Sequence, residues 1–187
     1  TNLYAFEAKI TYTPVLSLDV KPIGAAREYL ISIALDSIWK EEAYKESLIK
    51  ICEDYANYSY KSVDIEKKAC AIIIGYINDL LELCKTEKTY MHSKEIVKLF
   101  LIVSKMARAS KQWLTEFVDN MIAEYSDDTN RFNRIAEDVL EAIVKNVDSQ
   151  FVVVLPELAC KSAEVLWTQK ESKKHFLYDG YDINHVK

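Results

Sequence analysis

Glycine and proline are nearly missing from this chain. There are three of each in 187 residues: Gly24, Gly75 and Gly180, with Pro14, Pro22 and Pro156. Sheet-containing proteins spend these residues on turns and strand-to-helix loops, so their scarcity points to an all-α fold. It also removes phosphate-cradling loops. A Walker loop or dinucleotide fingerprint needs clustered glycines so that backbone amides can reach a phosphate, and these three lie far apart.

Long hydrophobic runs are lacking too. The longest, ACAIIIGYI from Ala69 to Ile77, has nine residues, whereas about 20 are needed to cross a bilayer. No stretch reads as a signal peptide. The densest basic cluster, KESKKH from Lys170 to His175, is short, so the electrostatic footprint of a nucleic-acid binder is missing. Neither nucleic acid nor membrane is expected as a partner. The four cysteines, Cys52, Cys70, Cys84 and Cys160, form no CxxC pair and sit among apolar neighbours. They read as free thiols buried as small hydrophobes, which fits a reducing, cytoplasmic setting better than a disulfide framework or a zinc site. A chain that begins at Thr1 and stops after DINHVK also reads as a fragment of a longer protein.

Catalytic constellations are equally sparse. Asp127-Asp128 invites comparison with the aspartate-rich magnesium motif of all-α isoprenoid synthases, but Arg131 stands where a third aspartate is needed. Asp179, Asp182 and His185 recur at three-residue intervals. They could share a metal only on a helix, and Gly180 argues against one there. His92 belongs to a loop. No serine or cysteine lies on a strand-to-helix elbow with a histidine to activate it. No catalytic, cofactor-binding or metal-binding residue is assigned, and no cofactor is expected.

What the chain does have is helical periodicity. Half of it is apolar and 28 % is charged. Apolar residues recur at three and four positions in successive segments. These are Ile23, Ala26, Leu30, Ile33, Ala34 and Ile38; Ala43 to Tyr55; Ile65 to Cys84; Ile96 to Ala107; Trp113 to Tyr125; and Phe132 to Ile143. Asp64, Ser93, Ser110, Asp128 or Thr129, and Asp148 stand where each can cap a helix. Gly75 falls within the most apolar segment and reads as a place where a neighbouring helix comes close. The stretch DSQFVVVLPELACKSAEVLWTQK, from Asp148 to Lys170, continues a helical stripe through Pro156. It reads as one kinked helix or as a short helix abutting a longer one. Trp39, Trp113, Trp167 and the tyrosines read as core or rim, with some of Tyr55, Tyr58 and Tyr60 exposed where the helix enters a polar link. Residues 1–21 read as an extended or irregular segment, 22–170 as a helical repeat domain, and 171–187 as a tail.

The spacing carries a resemblance. The first helices of successive pairs begin near Ala25, Asp64, Lys111 and Ser149, at intervals of 39, 47 and 38 residues. Two amphipathic helices and a turn per interval resemble HEAT or armadillo repeats, as does a proline within a first helix. A short HEAT-like stack of antiparallel helix pairs is expected, with a compact multi-helix bundle as the alternative. VLPELACKSAEVLWTQKE, from Val154 to Glu171, also resembles the helical arms of large bacterial STAND-type multidomain NTPases. In those proteins such arms sense or scaffold. The implied function is a protein–protein interaction or scaffolding module. The rival is an all-α enzyme or metal-binding bundle with its site between helices.

Charge supplies a candidate surface. Residues 115–150 hold nine acids against three bases, a net −6, which leaves +1 for the rest of a chain whose formal charge is −5. Glu116, Asp119, Glu137, Asp138 and Glu141 lie off the apolar stripes. They are expected to face solvent, either as a solvated face that keeps the domain soluble or as a docking surface for a basic protein partner or a basic neighbouring domain.

Overall fold

Helices form every regular element among the described residues, and no strand occurs there. The computed structural model describes residues 29, 32, 33, 35, 36, 41–58, 62–127 and 133–182, except for the side chains of 133 and 173–182. The expected extended segment 1–21 and the expected cap at Asp128 or Thr129 lie outside these residues. Positions 29, 32, 33, 35 and 36 are helical. There the expected stripe is corrected: Leu35 is buried and Ile33 only half-buried.

A 3-10 turn, Glu42–Tyr44, leads into α1, Lys45–Ala56. Leu48, Ile51, Cys52 and Tyr55 bury one face of α1, as their three-and-four spacing requires. Its last turn fixes the start of the next helix. The Tyr55 hydroxyl accepts from the Ser62 amide at 2.7 Å and donates to the Ser62 carbonyl at 3.2 Å. α2 then runs for 25 residues, Val63–Glu87. Asp64 does not cap it. It lies in the first turn, where its charge still favours the positive helix end. α2 stops at Lys88, whose left-handed backbone (φ 52°, ψ 45°) lets the Thr89 amide reach back to the Cys84 carbonyl. Glycine takes that conformation at lower cost than lysine.

Gly75 is corrected as well. It sits half-buried off the α2 stripe, and a methyl group there would meet no atom within 4 Å. No neighbouring helix needs the space.

α3, Ser93–Ser104, and α4, Lys111–Ser126, follow. Neither Ser93 nor Ser110 accepts a capping bond. The Ser110 hydroxyl donates back to the Met106 carbonyl at 2.8 Å, which closes the turn between the two helices. α5 spans Asn133–Asn146. Asp148 is a true cap: its carboxylate accepts from the Gln150 amide at 2.8 Å and opens α6, Ser149–Val154. Leu155 then leaves helical geometry (φ −132°, ψ 53°), and α7 begins at Pro156. The stretch is therefore a short helix abutting a long one. Proline at the first position of a helix sacrifices no hydrogen bond, so the joint costs less than a mid-helix kink. α7 runs to Asp182, through Gly180. The expected tail is thus helical for most of its length.

α2 lies against α3, and α4 against α5. α1 touches both α2 and α3, α3 meets α5, and α7 covers α4 and α5. The helical residues before the 3-10 turn reach α2 through Lys68, which donates to Ser32 at 3.1 Å and Asp36 at 2.9 Å. One continuous core runs from Leu35 to Leu166. At its centre Phe100 of α3, fully buried, meets Phe117 of α4 at 5.5 Å and Phe151 of α6 at 6.3 Å between ring centroids.

Two stability outcomes follow from these positions. Phe100→Ala is expected to cost about 3–5 kcal/mol, because it removes a large buried ring and leaves a cavity among three helices. Gly75→Ala is expected to stabilise by about 0.5–1 kcal/mol through helix propensity alone. Urea unfolding of both variants measures each value, and a destabilised Gly75→Ala protein would restore the close-approach reading.

Candidate functional site

The acids off the apolar stripes do not share one environment. On α4, Glu116 and Asp119 are exposed. Glu116 accepts from Gln112 at 3.1 Å, and Asp119 lies 3.9 Å from Lys161 of α7. On α5, Glu137, Asp138 and Glu141 are half-buried, not fully solvent-facing as expected. The reason is architectural. α3, α4 and α7 all contact α5, so residues beside its stripe meet neighbours before they meet water. Asp138 accepts a hydrogen bond from the Ser93 hydroxyl of α3. Glu141 pairs with Lys170 of α7 at 2.6 Å and with Lys145 at 3.5 Å. The hydrogen bond from Lys170 holds the Glu141 carboxyl below its usual value. Glu137 and Glu141 act on Tyr125, whose hydroxyl is pushed up to about 12, mainly by burial and then by these carboxylates.

The apolar face of α4 ends in a cleft. Trp113, Glu116, Phe117, Asn120, Met121 and Glu124 recur at three and four residues along α4 and form one wall. Asn78, Leu81 and Lys85 of α2 form the other, and Ile135 of α5 also lines the cleft. The cleft has a volume of about 190 Å³. The half-buried Trp113 indole stacks on Phe117 at 4.7 Å. Glu124 is half-buried, and desolvation pushes its carboxyl up from the usual range, partly offset by the Lys85 ammonium. Sequence reasoning placed Trp113, Phe117 and Met121 in the core and missed Glu124. The signal was there in the three-and-four spacing that sets Glu124 on the same face as Phe117 and Met121.

A second groove, of about 370 Å³, separates α1 from α3 and is lined by Glu46, Lys50, Glu53, Glu95 and Lys98 over Ile49 and Leu99. Its charges are of both signs. Among the described residues, no three His, Cys, Asp or Glu side chains are gathered in a way that could hold a metal ion. Cys52, Cys70 and Cys84 are buried as expected, but Cys160 is exposed. Burial pushes the Cys52 and Cys84 thiols up, which keeps them protonated and unreactive. Trp167 is also corrected: it is 71 % exposed on α7. Tyr58 stands partly exposed beside the buried Tyr55, and Tyr60 and Trp39 lie outside the described residues. No helix among the described residues is long and apolar enough to cross a membrane.

The chain matches no family model, no curated protein and no solved structure.

The two glutamates that the fold perturbs should titrate on opposite sides of the ordinary value of 4.5. Glu141, held low, contributes stability that is present above 4.5 and is lost as pH falls through its folded-state value. Glu124, held high, opposes folding at neutral pH, and that opposition is relieved as pH falls through its raised value towards 4.5. Carboxyl-carbon NMR should place the Glu124 midpoint above 4.5 and that of Glu141 below it. Glu124→Gln should raise the melting temperature at pH 7, with the gain shrinking as the pH approaches 4.5.

Proposed function

We propose that this chain is a protein-docking scaffold, a short HEAT-like stack of antiparallel helix pairs whose work is done by surface complementarity. One observation carries the reading. α2 pairs with α3 and α4 with α5, while α3 meets α5 and α4 meets α7 across successive pairs. Adjacent-pair contact of this kind is how helical repeats build a continuous core without a catalytic centre. The clefts fall at the junctions between pairs, α2 with α4 and α1 with α3, where a stack of this kind presents grooves to a partner. The phrase from Val154 to Glu171 supports a narrower form of the proposal, an arm of a STAND-type NTPase.

The partner we propose is a protein or a neighbouring domain with a basic contact surface. The acids open to it are Glu116 and Asp119 on α4. Asp138 and Glu141 are already engaged by Ser93 and Lys170 of neighbouring helices, which leaves them less open to a partner.

The test compares binding of a captured partner to the parent chain and to Glu116→Lys/Asp119→Lys. Both positions are exposed, so the variant should fold normally by circular dichroism. Exposed charge pairs are worth about 0.2–1 kcal/mol each, so loss of two should lower affinity by about two- to thirtyfold at low ionic strength. The difference should narrow at physiological salt, where the screening length is about 8 Å. Glu41→Lys, which reverses an exposed charge ahead of α1, should bind like the parent. Equal loss in both variants would show a general charge effect and remove α4 as the docking face.

A further inference from the structure

Resting on the docking reading, we infer that the cleft between α2 and α4 receives one arginine side chain of the partner, with its guanidinium at the Glu116–Trp113 end. Size is the first argument. At about 190 Å³ the cleft is smaller than the roughly 300–1,000 Å³ usual for small-molecule and cofactor sites, and it suits a single long side chain.

Charge is the second. Glu116 and Glu124 lie eight residues apart on α4, about 12 Å along a helix axis, so they mark the two ends of the cleft. Lys85 bears electrostatically on Glu124 and so compensates that end. Among the described residues no other cation lines the cleft and no ion pair holds Glu116, whose bond is to the neutral Gln112 amide. The Glu116 end is therefore the negative end, and its bond to an exposed glutamine is cheap to replace.

The lining selects arginine over lysine. Trp113 stands one turn before Glu116 on the same wall, and Phe117 and Leu81 supply apolar surface for the methylene stem. A guanidinium is planar and weakly hydrated, offers five donors and associates with aromatic rings. It can donate to the Glu116 carboxylate and to the Asn120 amide oxygen while lying against the indole. A lysine ammonium is a strongly hydrated point charge and loses more on leaving water.

The experiment uses the whole chain with N-acetyl-arginine N-methylamide as the probe and its neutral citrulline analogue as the control. Binding is followed by NMR at the Trp113 indole N–H and the Asn120 side-chain amide. Saturable shifts confined to the cleft are expected, with a dissociation constant on the order of millimolar for a single residue. Affinity should drop by about fivefold or more for the citrulline analogue and for Glu116→Gln, as loss of a charge-assisted bond implies. Glu124→Gln should bind within about twofold of the parent, because that end is compensated by Lys85. Shifts that do not saturate, equal shifts from citrulline, or a Glu116→Gln protein that binds like the parent would each overturn the inference. The docking proposal stands or falls separately, on whether reversal of Glu116 and Asp119 releases the captured partner.

Discussion

Burial of Phe100 is the contact on which the arrangement depends. Its ring meets Phe117 of α4 and Phe151 of α6 while it belongs to α3, so one side chain ties three helices together. Helix propensity cannot do this, because isolated amphipathic helices of 12 or 16 residues, such as α3 and α4, are marginal in water. What stabilises them is shared apolar surface. Trp113 extends the same aromatic row from the interior to the cleft wall through its stack on Phe117. The geometry of the cleft is thereby coupled to the core, and the candidate site is built on rigid helices rather than loops.

The all-α fold was legible because it rests on local information. Scarce glycine and proline and three-and-four spacing specify helices without knowledge of any partner, and helix starts near Asp64, Lys111 and Ser149 fall within a residue of those observed. The Asp148 cap was legible for the same reason, since its acceptor is two residues away. What failed was information that depends on a distant residue. Gly75 looked like a contact point until its surroundings proved empty. Ser93 looked like a cap, but its hydroxyl is claimed by Asp138, 45 residues on. Cys160 looked buried beside Leu158 and Ala159, yet it turns outward because the core-facing line on α7 is Leu158, Ser162 and Leu166.

The acidic segment shows the same limit in electrostatic form. Counting charges along residues 115–150 predicts one negative face. The fold divides it. Glu141 meets Lys170, 29 residues away, and Asp138 meets Ser93, so part of the charge is answered by neighbouring helices of the same chain. The remainder stays on α4, where Glu116 and Asp119 are open to water. A linear tally could not separate these groups, because both lie equally far from the apolar stripes. The difference is how many neighbours surround each helix: α5 has α3, α4 and α7 around it, while α4 leaves one side to the cleft and to solvent.

That division also explains why the cleft has two unlike ends. Glu124 is half-buried and works against folding at neutral pH, since burial destabilises its charged form. Lys85 offsets part of this cost from the opposite wall, so the Glu124 end is electrostatically answered within the chain itself. The Glu116 end has no such answer on α2, where Asn78 and Leu81 precede Lys85. A neutral amide from Gln112 occupies the carboxylate instead. Exposed to water, Glu116 is adequately solvated, so folding does not require a cation there. A partner that covers the cleft would remove that water, and the carboxylate would then need a replacement donor of opposite charge. Burial of Glu116 without such a donor would carry the cost of desolvating a carboxylate, so charge at this end is a condition on what can close the cleft.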